Sequence, residues 1–251
     1  MTGHSRLQYG FSRQHPDAVL DGSARARKAE KILRILADQC PDLAHCRMLE
    51  IGCGAGHMTR RFASACREMV AVDIDIDALR VAARENSADN ILYALMDSGR
   101  HALAPAGFEV IVCNHVYEHV PDAGMLVREI ERLLAPGGVC FFGAGNRLSF
   151  MEPHYRLPLL SVLPKWAAHP YLRAFRGVSH YYETHLSYWG LKGLVARFDR
   201  IDYTARVIAE PQRFAADDQL IQGSFKQRLA ALVANHCYWA CPTYLWVLKR
   251  R

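Results

Sequence analysis

Three glycines at alternate positions, Gly52, Gly54 and Gly56, follow the short apolar run 48–51 and lead into Met58-Thr-Arg-Arg-Phe62, which reads as a helix. Strand, glycine turn and helix make a nucleotide-binding arrangement, because a backbone without Cβ takes positive φ and lets a ligand come close. A dinucleotide fingerprint spaces its glycines Gly-x-Gly-x-x-Gly. Here the third glycine comes one residue early, and His57 fills the position where that motif needs glycine. The spacing argues against NAD and for a nucleoside ligand without a diphosphate. Asp73 follows Gly54 by 19 residues. A carboxylate there can accept hydrogen bonds from both hydroxyls of a ribose, while Asp75 or Asp77 caps the helix that follows. Proton transfer would need a different group, and histidine suits that task near neutral pH. Among 12 histidines, His154 in Glu152-Pro-His-Tyr155 is the first candidate, because Glu152 is close enough in sequence to orient it. His115 is second, and His180 and His185, which flank a Tyr-Tyr pair, are third. No motif fixes the base, and each of these can equally be a structural histidine.

The elements that must position these residues alternate. Strands are expected at 48–51, 68–73, 91–96, 108–114 and 138–144, with helices at 58–65, 77–86 and 123–134 between them. Pro136-Gly137-Gly138 ends the last of these helices and turns the chain into the fifth strand. Repeated βα units of this length imply a parallel sheet with helices on both faces, and ligands in such sheets bind at the carboxyl ends of the strands. Before the sheet, 24–38 reads as a helix with Ile32, Leu33 and Leu36 on one face and Arg25, Lys28 and Lys31 elsewhere. After it come a helix at 188–198, a strand at 199–209 and a strand at 243–249. The stretch 212–236 between those strands is read as helical, with an apolar face of Leu220, Leu229, Leu232 and Val233 that suits packing on another segment or a homodimer surface.

Leu49-Glu-Ile-Gly-Cys-Gly-Ala-Gly56 resembles motif I of the class I S-adenosylmethionine-dependent methyltransferases of small-molecule- and glycan-modifying type. Asn114-His-Val-Tyr-Glu-His-Val-Pro-Asp122 is similar to the family's block after the fourth strand, with Tyr117 where leucine is commoner, and Arg132-Leu-Leu-Ala-Pro-Gly-Gly138 completes the signature. The resemblance covers about residues 46–146. It implies a Rossmann-like α/β fold: a seven-stranded, mostly parallel sheet with helices on both faces, an antiparallel last strand and a lid insertion after strand five. It implies S-adenosyl-L-methionine as cofactor, with Glu50, Gly52, Gly54 and Gly56 around it and Asp73 as the ribose ligand. Ile74 would pack on the adenine, Asp97 and Ser98 would meet its amino group, and Asn114 and His115 would line the methionine end. Glu118 and His119 would hold the loop in shape, and Tyr9, Phe11 and Arg13 could cover the cofactor. His154 falls in an Asn-Arg…Pro-His-Tyr run that glycan- and natural-product-modifying relatives carry, matched by Asn146, Arg147, Pro153, His154 and Tyr155.

With 251 residues the chain is read as a single domain, 1–251, having a helical cap at 1–45, a substrate lid at 147–186 and the helical insertion at 212–236. The stretch 147–186 holds Phe150, Tyr155, Trp166, Tyr171, Phe175, Tyr181 and Tyr182, and its prolines forbid one long helix. That aromatic content argues against disorder. Basic and aromatic residues together suit an acceptor with a ring face and negative charge, and Trp166 with the surrounding leucines suits peripheral contact with a membrane. The first functional reading is O-methylation of a hydroxyl on a sugar, a lipid-linked glycan intermediate or another small metabolite. A quinone precursor is the competing acceptor. A nucleic-acid methyltransferase is disfavoured, because no Asn-Pro-Pro-Tyr block follows strand four and the basic residues are spread along the chain. A non-catalytic cofactor-binding regulator is disfavoured by the intact glycines and Asp73. The net charge of +6 fits an anionic partner or mere solubility. Eight scattered cysteines, without metal-like spacing, point to a reduced cytoplasmic protein and no metal site.

Overall fold

The computed structural model describes residues 22–97 and 102–250. Its elements are α1 (Gly22–Ala37), β1 (Arg47–Ile51), α2 (His57–Ala63), β2 (Glu68–Asp73), α3 (Ile76–Glu85), β3 (Ile91–Leu95), β4 (Phe108–Asn114), α4 (Ala123–Leu133) and β5 (Leu134–Gly145). After these come α5 (Lys165–Arg176), α6 (Tyr188–Leu194), β6 (Phe198–Asp202), α7 (Thr204–Ala209), α8 (Phe225–His236) and β7 (Thr243–Arg250). The seven strands lie in the order β3-β2-β1-β4-β5-β7-β6. β1 to β5 pair in parallel, and β7 runs antiparallel to both β5 and β6. The expected sheet, with its antiparallel last strand, is the observed one.

Period-two alternation along each strand sorts the core into two layers. Leu49, Ile51, Val70, Val72, Ile111 and Cys113 face α4, whose Leu126, Val127, Ile130 and Leu133 fill that side. Met48, Met69, Val110 and Val112 face the other side, where Ile32, Ile35 and Leu36 of α1 and Phe62 of α2 pack. The order of winding reverses between β1 and β4, which opens a crevice at their carboxyl ends.

Several elements differ from the sequence reading. The helix expected at 123–134 ends at Leu133, and β5 opens at Leu134, ahead of Pro136-Gly137-Gly138. The stretch 199–209 is not one strand: β6 ends at Asp202, whose Oδ1 accepts from the Thr204 N–H at 2.8 Å and starts helix α7. In 212–236, only Phe225–His236 is helical. Ser224 caps α8 by accepting from Gln227 N, and Gln227 Oε1 accepts from Gly223 N at 2.7 Å, a reciprocal cap that fixes the start. Leu229 and Leu232, placed on the expected apolar face, are exposed. Shorter helices at both 58–65 and 188–198 reflect early capping turns.

The segment 147–186 builds a small core of its own from Tyr155, Leu157, Leu160, Ala168, Leu172 and Tyr181. Its helix α5 contains Pro170. Lys165, at the start of α5, ties the middle of the segment to its C-terminal end: its Nζ donates to the carbonyls of Tyr181 (2.9 Å) and Glu183 (2.5 Å) and lies 4.4 Å from the centroid of the Tyr181 ring.

Candidate active site

The glycine loop sits where β1 feeds α2. Gly52 (φ +77°) and Gly56 (φ +78°) hold left-handed backbone, and a Cβ on Gly52 would stand 2.7 Å from Val116 Cγ2, while one on Gly56 would run into the Tyr93 hydroxyl. Gly54 N–H donates to Asp73 Oδ2 at 2.7 Å, and Asp75 N–H donates to Asp73 Oδ1 at 2.9 Å. Each Asp73 oxygen thus keeps acceptor capacity beyond the backbone donor that fixes it, which fits the hydroxyls of a ribose. Burial pushes the Asp73 carboxyl above its ordinary value, against the backbone donors. Asp75 caps α3 by accepting from Asp77 N (3.1 Å) and Ala78 N (3.3 Å), leaving Asp73 to the loop. Ile74 follows, half-buried, and Asp97 is exposed just beyond β3, where Met96 N–H donates to the Asp73 carbonyl at 3.0 Å. Ser98 lies outside the described residues, as do Tyr9, Phe11 and Arg13.

Glu50 is buried beneath the loop. Its Oε2 accepts from Thr59 Oγ1 at 2.6 Å, and its Oε1 has no hydrogen-bond partner. Burial pushes its carboxyl from 4.5 up to about 8, against the Thr59 hydrogen bond and the charge of Arg25. An orphaned buried carboxylate oxygen fits a cationic ammonium group that would ionise it. The group's effect on stability has a definite sign. Below pH 4.5 folded and unfolded chains both hold the proton; as pH rises toward 8 the unfolded chain releases it and the folded chain does not, so stability is lost. At pH 7 the penalty is about 3 kcal/mol. Glu50→Gln, which keeps an acceptor for Thr59, is therefore expected to raise the urea midpoint at pH 7 and to leave it unchanged near pH 4. A lower midpoint at pH 7 would contradict this reading of Glu50.

The methionine-end candidates follow β4. Asn114 abuts Gly143, where a Cβ would collide with Asn114 Oδ1. His115 adopts φ +56°, uncommon for a residue with a side chain, held by its N–H donating to the Gly143 carbonyl at 2.8 Å. Its Nδ1 lies 3.2 Å from Oε1 of the buried Glu118, and burial lowers the pKa of the imidazole. The α1 cations are not turned away from all this. Lys28 is half-buried, and its pKa is pushed down to about 8 by burial, then by Arg25 and Lys31, with Glu118 acting against them. Arg25 acts on Glu50 in turn. Lys31 is buried, and its Nζ donates to Gln219 Oε1 at 3.0 Å.

His154 belongs to a buried cluster. Its Nδ1 lies 2.7 Å from Glu152 Oε1, and Glu152 Oε2 accepts from Tyr155 N–H at 2.7 Å. His185 Nε2 stands 3.7 Å from the same Glu152 Oε1. The His119 ring meets His154 edge-on with centroids 4.8 Å apart, and His119 Nδ1 lies 3.9 Å from Glu183 Oε1. Burial opposes charge on His154, but the hydrogen bond and charge of Glu152 win, so its pKa is raised; burial lowers His119 to about 4. Burial also opposes charge on Glu152 and Glu118, and the histidines beside them hold both carboxyls down at about 2. Glu118 and His119, expected only to shape the loop, are members of this cluster. His180, by contrast, is exposed beside His169 and Tyr182.

The cluster joins the crevice at the end of β5. A Cβ on Gly145 would stand 3.2 Å from the His185 ring and 3.6 Å from Glu118 Oε1. The Tyr117 hydroxyl donates to the Gly145 carbonyl at 2.5 Å and accepts from Leu186 N–H at 3.1 Å, tying β5 to the approach of His185. That double role accounts for a tyrosine where the family commonly has leucine.

Residues 49–142 match the family model described as the methyltransferase domain. That stretch carries the signature of a methyltransferase domain. Curated relatives include the ubiquinone biosynthesis O-methyltransferases of Methylococcus capsulatus, 32% identical over 51% of this chain and 55% of the relative, and of Albidiferax ferrireducens, 33% identical over 55% and 56%. The matched stretch spans little more than half the length of those relatives. Among solved structures, the N-methyltransferase NodS of Bradyrhizobium japonicum in complex with S-adenosyl-L-homocysteine shares the fold, with TM-score 0.54, 17% identity and coverage of 94% of this chain and 92% of that one. The methyltransferase domain model stops at residue 142, before Gly145, Glu152, His154 and His185. The glycine loop and Asp73 lie inside it, and the histidine–carboxylate cluster lies largely beyond it.

Proposed function

We propose that the chain transfers the methyl group of S-adenosyl-L-methionine to a hydroxyl of a small ring-bearing acceptor. The observation that carries the reading is the His154–Glu152 pair beside the carboxyl ends of β4 and β5, in a sheet whose glycine loop and Asp73 would hold the nucleoside. The cofactor supplies an activated methyl on a good leaving group, so the protein's task is to place the acceptor and take its proton. Gly52, Gly54 and Gly56 would hold the cofactor's backbone-facing side, Asp73 its ribose, Ile74 and Asp97 its adenine, and Glu50 its ammonium group. Asn114 and His115 would line the path to the acceptor, and His154, oriented by Glu152, would receive the hydroxyl proton. Residues 147–186 would cover the acceptor.

Sugar and glycan-intermediate hydroxyls remain the first class to test. The names of the curated relatives favour a second, the phenolic hydroxyl of a quinone precursor. The deciding experiment incubates the protein with methyl-labelled S-adenosylmethionine and separate panels of sugar nucleotides, lipid-linked glycans and hydroxylated quinone precursors, and detects labelled ether by mass spectrometry. Labelled ether in one panel supports the reading and selects the acceptor; label only on nitrogen or nucleic acid overturns it.

Lys28 would meet the carboxylate of the cofactor's amino-acid end. Lys28→Met is expected to weaken S-adenosylhomocysteine binding about tenfold near pH 7, the loss of one charge-assisted hydrogen bond. Because Lys28 loses its proton around pH 8, the ratio of wild-type to variant affinity should shrink as pH rises past that value. A ratio constant from pH 6.5 to 9.5 would remove Lys28 from the site.

A further inference from the structure

We propose that Glu152, His154 and His185 hold a divalent transition-metal ion of the zinc type. A ligand atom from each lies within 4.8 Å of the others, and two of the three residues are buried. Ligands about 2.1 Å from a tetrahedral ion stand roughly 3.4 Å apart. The distances from Glu152 Oε1, 2.7 Å to His154 Nδ1 and 3.7 Å to His185 Nε2, bracket that value.

His185 supplies the independent observation. Its side chain is 2% exposed, and neither ring nitrogen has a hydrogen-bond partner. A buried imidazole with two idle nitrogens, aimed at a carboxylate beyond hydrogen-bond reach, is an arrangement that a metal ion completes. Glu152 is already oriented, since its other oxygen is held by the Tyr155 N–H. Lys165 anchors the backbone just before His185 by donating to the carbonyls of Tyr181 and Glu183.

Two imidazoles and one carboxylate favour a transition ion over magnesium, and three protein ligands leave a position open. The role of the ion rests on the methyl-transfer reading above. An acceptor hydroxyl in the open position is acidified and gives up its proton to solvent. The oxygen–carbon bond then forms as the carbon–sulfur bond breaks, and its electron pair leaves on sulfur as the thioether. His154 would then act as a metal ligand in place of a free base.

The test uses the untagged full chain, stripped with a chelator, and follows Zn2+ by calorimetry and Co2+ by its visible spectrum. One ion per chain is expected, with a Co2+ spectrum of low-coordinate nitrogen and oxygen ligation. His185→Ala and Glu152→Gln should each weaken Zn2+ binding by about a hundred-fold or more, ligands costing at least what outer-shell partners do. Circular dichroism of each variant checks that it is folded, and the Co2+ spectrum of the unaltered chain carries the test if neither variant folds. No bound ion in the unaltered chain, or binding undiminished in folded His185→Ala, would overturn the proposal. S-adenosylhomocysteine is titrated into the metal-free protein in parallel. Binding there without a metal site refutes only the ion, and a metal site without cofactor binding refutes only the methyl-transfer reading.

Discussion

Asp73→Ala is expected to weaken S-adenosylhomocysteine binding by about 10²- to 10⁴-fold, measured by calorimetry. The carboxylate would accept from two ribose hydroxyls, and hydrogen bonds to a charged group contribute about 1.5–3 kcal/mol each. Asp73 also accepts from Gly54 N and Asp75 N, so removing it leaves two backbone donors unanswered and loosens the loop. Asp73→Asn separates the two effects, because it keeps the side chain's shape and one acceptor. It should retain most of the stability and still lose much of the affinity. The cap of α3 belongs to Asp75, so helix content should not change in either variant. Unchanged affinity in Asp73→Ala would mean that the ribose binds elsewhere.

The second large effect concerns turnover. His154→Ala is expected to lower the rate of methyl transfer to the true acceptor by about 10²- to 10⁴-fold, the usual contribution of a positioned proton-transfer group, while cofactor affinity stays within a few-fold of wild type. The separation follows from place: His154 bonds to Glu152 in the 147–186 segment, whereas the glycine loop and Asp73 lie at the carboxyl ends of β1 and β2. Glu152→Gln should lose much of the same rate, since the amide orients the imidazole without charge. Full turnover by a folded His154→Ala protein would exclude His154 from the chemistry, whether as base or as metal ligand.

The fold from β1 to β5 could be read in the residues because each strand is a short apolar run bounded by turn chemistry. The glycine loop and Asp73 were legible for a related reason: a local backbone demand and a fixed offset along one βα unit place them. The cluster was only half legible. Glu152 and His154 are two residues apart, so their contact follows from proximity. His185 joins them only because Tyr155, Leu157, Leu160, Leu172 and Tyr181 fold the intervening chain back on itself, and no periodicity announces that. The surroundings of Lys28 and Arg25 were not legible for another reason. A helical wheel separates polar from apolar but does not distinguish water from a charged crevice. The end of β6 was missed because one side-chain turn, Asp202 accepting from the Thr204 N–H, overrides a stretch with strand-like composition.

Direct titration tests whether the crevice at the glycine loop binds S-adenosylmethionine. Calorimetry of the purified full chain with S-adenosylmethionine, S-adenosylhomocysteine and NAD should show binding of the two sulfur compounds at about one per chain, with affinity on the order of micromolar and no heat from NAD. Binding of NAD, or no binding of either sulfur compound by folded protein, would contradict the account.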